Sequence, residues 1–201
     1  MLAACSISTP PQQPLLDNTE QRVVDAHQQR LKAIYRWQLS ARLAIIQKTE
    51  AQRDGLYLDW RWQRQPDSRQ QLRFSHPLKG QLATLTILPQ TAQLTLADES
   101  FFGSNPEALL QRVLGVRLPL KQLPQWVLGK QTSALKRPRF IRGGRLAAAS
   151  FTDANAEHWQ IQWFYANDTA LLPAQIELES AQLHIKMQLN DWHLTPELSY
   201  P

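Results

Sequence analysis

The groups in this chain that could do chemistry are few and scattered: one cysteine, five histidines, two glutamates two residues apart and a run of basic residues. Cys5 has no neighbour that would lower its thiol pKa. Its setting is Leu2-Ala3-Ala4-Cys5-Ser6, followed by a Ser-, Thr-, Pro- and Gln-rich run to Pro14. Small residues before a cysteine and a pliant stretch after it suit acylation of the thiol. An incidental cysteine in a frayed terminus fits the same residues, and Met1-Leu2 is only a stub of the charged and apolar stretch that precedes such a site. His27, His76, His158, His184 and His193 show neither an HExxH pattern nor a paired ligand spacing. There is no GxSxG elbow, no GxGxxG and no phosphate loop, since Gly129-Lys130 lacks both the upstream Gly and the following Ser or Thr. Glu177 and Glu179 share one face of a strand, which predicts a solvated edge and not an acid and base pair. The chain is therefore expected to hold no catalytic residue, no metal and no cofactor, and not to be an enzyme.

Lys136-Arg137-Pro138-Arg139, with Arg142 and Arg145, could bind phosphate. The proline and the position between elements predict a solvated loop instead. Trp and Tyr are not interleaved with these residues, which argues against a single-strand nucleic-acid platform, so no nucleic-acid partner is expected. A net charge of +5 leaves anionic partners open, and a mildly basic surface that only confers solubility equally so.

The elements that must position any site are clearer. With 201 residues, 43% hydrophobic and 19% charged, the chain can bury a core without disulfides. No stretch approaches the ~20 apolar residues of a membrane span. Asp17 to Ile34 predicts a helix, with Asp17 and Glu20 as a capping pair and Val23, His27, Leu31 and Ile34 on one apolar stripe. His27 there reads as a core-edge residue.

The period then changes to two. Leu39, Ala41, Leu43 and Ile45 alternate with polar or small neighbours, as do Leu56, Leu58, Trp60 and Trp62. Leu72 and Phe74, then Ala83, Leu85 and Ile87, then Leu94 and Leu96 follow, separated by turns such as Gln65-Pro66-Asp67-Ser68. This predicts an antiparallel meander with one apolar face. Ser104-Asn105-Pro106-Glu107 predicts a helix start, with Leu109, Leu110, Val113 and Leu114 as its stripe and Gly115 as its stop. A second short helix is expected over Leu120 to Leu128, bearing Leu123, Trp126 and Val127. Strands resume from Phe140 to Phe151, with a turn or bulge at Gly143-Gly144. Trp159, Ile161, Trp163 and Tyr165 then alternate, as do Ile176 and Leu178, and Leu183, Ile185, Met187 and Leu189. Core packing and an apolar cavity explain these faces equally well.

One connection resists a bland reading. His76-Pro77-Leu78-Lys79-Gly80 is a turn that carries a large aliphatic residue at its tip. Position alone predicts that Leu78 is tucked back against the protein.

These segments together resemble the LolB family of outer-membrane lipoprotein receptors. The likeness runs from His27-Gln28-Gln29 through the double-Trp strand to His76-Pro77-Leu78-Lys79-Gly80. It continues through Leu118-Pro119-Leu120 and Gln125-Trp126-Val127-Leu128-Gly129, Trp159 to Trp163, and Leu172-Pro173-Ala174 with Ile176-Glu177-Leu178. Ile185-Lys186-Met187 and Asp191-Trp192 complete it. The resemblance implies a mainly β fold with α, a half-open antiparallel β-barrel of the LolA/LolB kind covered by short helices. It implies an outer-membrane-anchored receptor, lipidated at Cys5 and facing the periplasm, that takes lipoproteins from the periplasmic carrier LolA without ATP. Their acyl chains would occupy a cavity lined by Leu58, Trp60, Trp62, Phe74, Leu85, Leu96, Leu110, Val113, Trp126, Ile161, Trp163 and Met187. The turn of His76, Pro77, Leu78, Lys79 and Gly80 becomes a membrane-insertion loop, which reverses the tucked-back expectation for Leu78. Partners would be LolA, lipoprotein acyl chains and outer-membrane phospholipid, with the receptor a monomer and its basic balance favouring a more acidic LolA. The expected organisation is a lipobox remnant and flexible tether over residues 1–16, one domain over 17–194 and a tail over 195–201. The same fold also suits a carrier of another hydrophobic ligand.

Overall fold

The computed structural model describes residues 9–16, 20–50, 52–64, 67–115 and 117–195. Cys5, Asp17, Gln65 and Pro66 lie outside them, as do residues 196–201.

Eleven strands account for about half of these residues. They are β1 (Arg36–Gln47), β2 (Gln52–Gln63), β3 (Arg69–His76), β4 (Gly80–Ile87), β5 (Ala92–Leu96), β6 (Glu99–Gly103), β7 (Lys136–Ile141), β8 (Arg145–Thr152), β9 (His158–Phe164), β10 (Gln175–Glu179) and β11 (Leu183–Thr195). They hydrogen-bond in the order β6-β5-β4-β3-β2-β1-β11-β10-β9-β8-β7. Apart from the step between β1 and β11, every neighbour in the sheet is a neighbour in sequence. Short turns therefore suffice for most connections. The expected fold class holds: one open antiparallel sheet with few helices.

The described chain packs as two compact units. Of the described residues, the first comprises 9–16, 20–33, 42–50, 52–55 and 125–189; the second comprises 34–41, 56–64, 67–115, 117–124 and 190–195.

In the first unit, helix α1 (Gln21–Lys32) starts later than the sequence predicts. Glu20 is its N-cap and makes no side-chain cap hydrogen bond. Its buried face is Val24, His27, Gln28 and Leu31, so Val24 replaces the expected Val23, which is exposed. Gln28 anchors the helix, donating from Nε2 to the Gly129 carbonyl (3.2 Å) and accepting from the Gln131 backbone N–H (2.9 Å). The Gly143-Gly144 interruption is a 3-10 turn over Arg142–Gly144 that reverses the chain between β7 and β8. Gly144 has φ +71°, and a Cβ there would stand 2.5 Å from the Val23 carbonyl oxygen. Only glycine lets α1 approach this turn so closely.

Two sequence expectations fail here. Lys136, Arg137 and Arg139 belong to strand β7 and not to a loop; a register shift and a positive φ at Arg137 accommodate Pro138 at this sheet edge. Strand β10 is not a solvated edge, because it lies between β9 and β11 and leaves Glu177 only 8% exposed. The Glu177 carboxylate accepts from Thr9 Oγ1 (2.8 Å) and Gln175 Nε2 (2.7 Å), meets His184 Nε2 at 2.8 Å and lies 3.3 Å from Lys186 Nζ. Burial alone would raise its pKa, but the hydrogen bonds from His184 and Thr9 and the charge of Lys186 hold it below the usual carboxylate range.

The stretch read as a tether also has partners in this unit. Besides Thr9 on Glu177, Gln13 Oε1 accepts from Arg145 (3.0 Å), and the Leu16 N–H donates to the Phe140 carbonyl (3.0 Å). Arg145 is buried against the Tyr165 ring at 4.8 Å and donates to the Asn167 carbonyl at 2.7 Å.

In the second unit, helix α2 (Pro106–Leu114) bears out its expected signals. The Asn105 side chain caps Ala108 N–H at 3.1 Å, Pro106 opens the helix, and Gly115 closes it at φ +67°. It packs on β4, β5 and β6. The helix expected over Leu120 to Leu128 shrinks to one turn, α3 (Leu123–Trp126).

Candidate functional site

Alternation puts an aromatic cluster on the inner face of the second unit. Trp60 and Trp62 project from β2 on the same side as Leu58, and all three are buried. Trp37 joins them, 5.0 Å from Trp60 and 5.9 Å from Trp62, and Trp192 lies 5.6 Å from Trp37. Phe74, Leu85 and Leu110 are buried in this unit, whereas Leu96 and Val113 are half-buried.

Trp37 and Trp192 were absent from the expected lining. Trp37 simply begins the alternation that runs through Leu39 and Ala41, so its signal was present. Trp192 is out of phase with Ile185, Met187 and Leu189. Asp191, at φ +48°, shifts the strand's phase so that Trp192 turns inward.

The first unit has its own apolar face. Trp126, Ile161, Trp163 and Met187 are all buried there. Trp163 Nε1 donates to the Trp126 carbonyl at 2.6 Å, and Trp126 meets the Phe151 ring edge-on at 5.0 Å. These contacts fix the indoles while leaving their apolar surfaces to pack.

His27 gives this unit a titratable group. It is 5% exposed, and its Nε2 has no hydrogen-bond partner among the described residues. Burial first, then the charges of Arg30 and Arg145, lower its pKa from 6.5 to about 4. A histidine whose folded pKa is lowered leaves stability intact above pH 6.5 and removes it as pH falls toward 4, by up to ~1.4 kcal/mol per unit. Urea unfolding between pH 7 and 4 should show this slope in the wild type and a shallower one in His27→Gln. Equal slopes would separate acid sensitivity from His27.

The turn between β3 and β4 exposes its aliphatic tip. Leu78 is 82% exposed, the largest exposure among the large hydrophobic residues described. Its N–H donates to His76 Nδ1 at 3.1 Å, and Gly80 takes φ +69° to re-enter β4. Pro77 and Lys79 are exposed on either side of it. The tucked-back expectation from position alone is overturned: a turn this short gives the side chain no surface to fold onto. Phe102 on β6, 69% exposed, is a further outward-facing apolar residue that alternation did not single out.

Over 92% of this chain and 96% of the other, the structure is similar to the crystal structure of a LolA superfamily protein from Nitrosomonas europaea, with a TM-score of 0.52 and 10% identity, a likeness of fold alone. Residues 35–192 match the family described as outer membrane lipoprotein LolB, and this chain belongs to that family. It is 28% identical over 197 residues to outer-membrane lipoprotein LolB of Sodalis glossinidius, covering 96% of this chain and 92% of that protein. It is 30% identical over 158 residues to outer-membrane lipoprotein LolB of Shewanella sp. strain MR-4, covering 78% and 71%.

Proposed function

We propose that this chain accepts lipoproteins from the periplasmic carrier LolA and inserts them into the inner leaflet of the outer membrane. Membership of the family makes it an outer-membrane lipoprotein of the lipoprotein-localisation pathway. In the finer reading, Cys5 carries the lipid anchor, and cargo acyl chains lie against the apolar face of each unit taken by itself, Leu58 and Trp60 in the second and Ile161 and Met187 in the first. Such contacts read only the lipid, so one receptor serves many cargoes. Each buried CH₂ is worth ~0.8 kcal/mol, which makes an unshielded long chain cost on the order of 10 kcal/mol in water. Handover between two apolar surfaces avoids that cost and needs neither ATP nor a nucleophile. LolA docking is assigned to charge complementarity with this chain's basic surface, so raising salt should slow transfer.

The observation that carries the insertion step is the exposed Leu78 beside Lys79. An aliphatic tip can enter the acyl region while the lysine ammonium remains among anionic headgroups. The deciding experiment follows a radiolabelled lipoprotein from its LolA complex to this protein, and then into added liposomes. Cargo that moves in both steps supports the reading. Cargo that stays on LolA, with this protein shown to be folded, would make it a carrier of some other hydrophobic ligand.

A further inference from the structure

The polar face of the second unit carries a feature that the transfer of acyl chains does not use. Strand register puts Gln63 opposite Arg69 and Arg61 opposite Gln71. On the other side of β2, the Arg64 N–H donates to the Tyr35 carbonyl (2.8 Å) and Ser40 Oγ donates to Asp59 (3.1 Å). These bonds set Arg36 level with Gln63, and Gln38 level with Arg61. Arg36 and Arg69 therefore flank Gln63 two strand spacings apart, roughly 10 Å. Arg61 sits between them, one outward-facing position along β2.

Arg36, Arg61 and Arg69 line a depression of about 530 Å³ together with Gln38, Gln63, Gln71, His193, Thr195, Trp37 and Trp62, and no carboxylate among the described residues lines it. The adjoining depression of about 320 Å³ shares Gln38, Arg61, Gln71 and His193 with it and adds Arg73, Asp59 and Asp191, so carboxylates stand only on the far side of Arg61. Among the described residues, Arg36, Arg61 and Arg69 take part in no ion pair and no side-chain hydrogen bond. No two of the three stand directly opposite one another, but each keeps its charge next to the others' around one concavity, and no fold contact of theirs calls for that arrangement.

We infer that this depression binds a phosphate-bearing anion. Guanidinium forks match the spacing of phosphate oxygens and can hold two at once. The glutamine amides add neutral donors at the same level. Arg36 and Arg69 face no carboxylate among the described residues, and Arg61 meets Asp59 and Asp191 only on the side of the adjoining depression. The pocket stands at the Arg69 end of β3, whereas Leu78 follows the other end. Eight residues of largely extended chain separate Arg69 from Leu78, and the seven of them in β3 span roughly 23 Å. The site is thus distinct from the membrane-insertion tip, and it stands whether or not the insertion reading does.

The test uses the full chain at low ionic strength, with inorganic pyrophosphate titrated calorimetrically in one arm. Vesicles of phosphatidylcholine, with or without phosphatidylglycerol, are floated with the protein in the other. Arg61→Gln is compared with Arg139→Gln, which removes the same charge from exposed β7 of the first unit. Arg61→Gln should weaken pyrophosphate binding about tenfold or more, and Arg139→Gln by less than about twofold. If phosphatidylglycerol-dependent flotation also falls only in Arg61→Gln, the phosphate is a lipid headgroup. If flotation is the same in both variants while pyrophosphate binding is not, the ligand is a soluble phosphate compound. Equal behaviour of the two variants in both arms overturns the site. So does a polyglutamate peptide that binds through Arg61 while pyrophosphate does not, which would make it a contact for an acidic protein.

Discussion

Leu78→Glu should leave receipt of lipoprotein from LolA intact and cut its insertion into liposomes by on the order of a hundredfold. On insertion scales, exchanging an aliphatic side chain for a carboxylate at membrane depth costs ~3 kcal/mol, and 1.4 kcal/mol is a factor of ten. The protein itself should not register the change. Leu78 is 82% exposed, and surface substitutions away from special features stay within about 0.5 kcal/mol. A melting curve that overlays the wild type is therefore the control that makes the functional loss interpretable. Insertion at the wild-type rate by Leu78→Glu would remove the membrane role from this turn.

Trp60→Asp should cost more than any other single change proposed for this chain, and it should do so through folding. Trp60 is fully buried, with Trp37 edge-on at 5.0 Å. A carboxylate there loses its hydration and finds no cation among the surrounding rings, a penalty of several kcal/mol on top of the lost packing. Against a typical total of about 5–15 kcal/mol, that removes much of the stability. Trp60→Phe separates packing from acyl binding. The Trp60 Nε1 donates to nothing among the described residues, so phenylalanine forfeits no hydrogen bond and should cost only about 1–2 kcal/mol. Cargo receipt by folded Trp60→Phe should be slowed by the smaller apolar face, whereas Trp60→Asp should bind no cargo and unfold in low urea. A Trp60→Asp variant as stable as the wild type would mean that this position is open to water.

Much of the fold could be read from period-two patterning, because a strand with one dry side must repeat its apolar residues at every other position. Leu58, Trp60 and Trp62 declared β2 in this way, and Asn105-Pro106 with Gly115 declared α2 by capping chemistry. What escaped depends on neighbours distant in sequence. Glu177 looked like a solvated residue because its alternation with Ile176 and Leu178 is regular; its burial comes from His184, Lys186 and Thr9. Trp192 was hidden by the phase shift at Asp191, which no periodicity anticipates. The arginine-lined depression was invisible for a related reason. Alternation says that Arg61 and Arg69 point outward, but only cross-strand register says that they and Arg36 point to the same place. Leu78 was the opposite case, an obvious residue whose exposure required the turn's real length.

The hydrogen bonds that hold Thr9, Gln13 and Leu16 to the first unit set the length of a leash. For an anchor on Cys5, only three residues separate the cysteine from Thr9, a reach of at most ~14 Å. Were those bonds released back to Glu20, fourteen residues would intervene and the reach would grow to at most ~50 Å. The area of membrane that the protein could sweep around its anchor scales with the square of that reach, so it changes by roughly tenfold. With the proposed anchor on Cys5, four hydrogen bonds would thus decide whether the protein patrols a wide patch of bilayer or stays close over one spot.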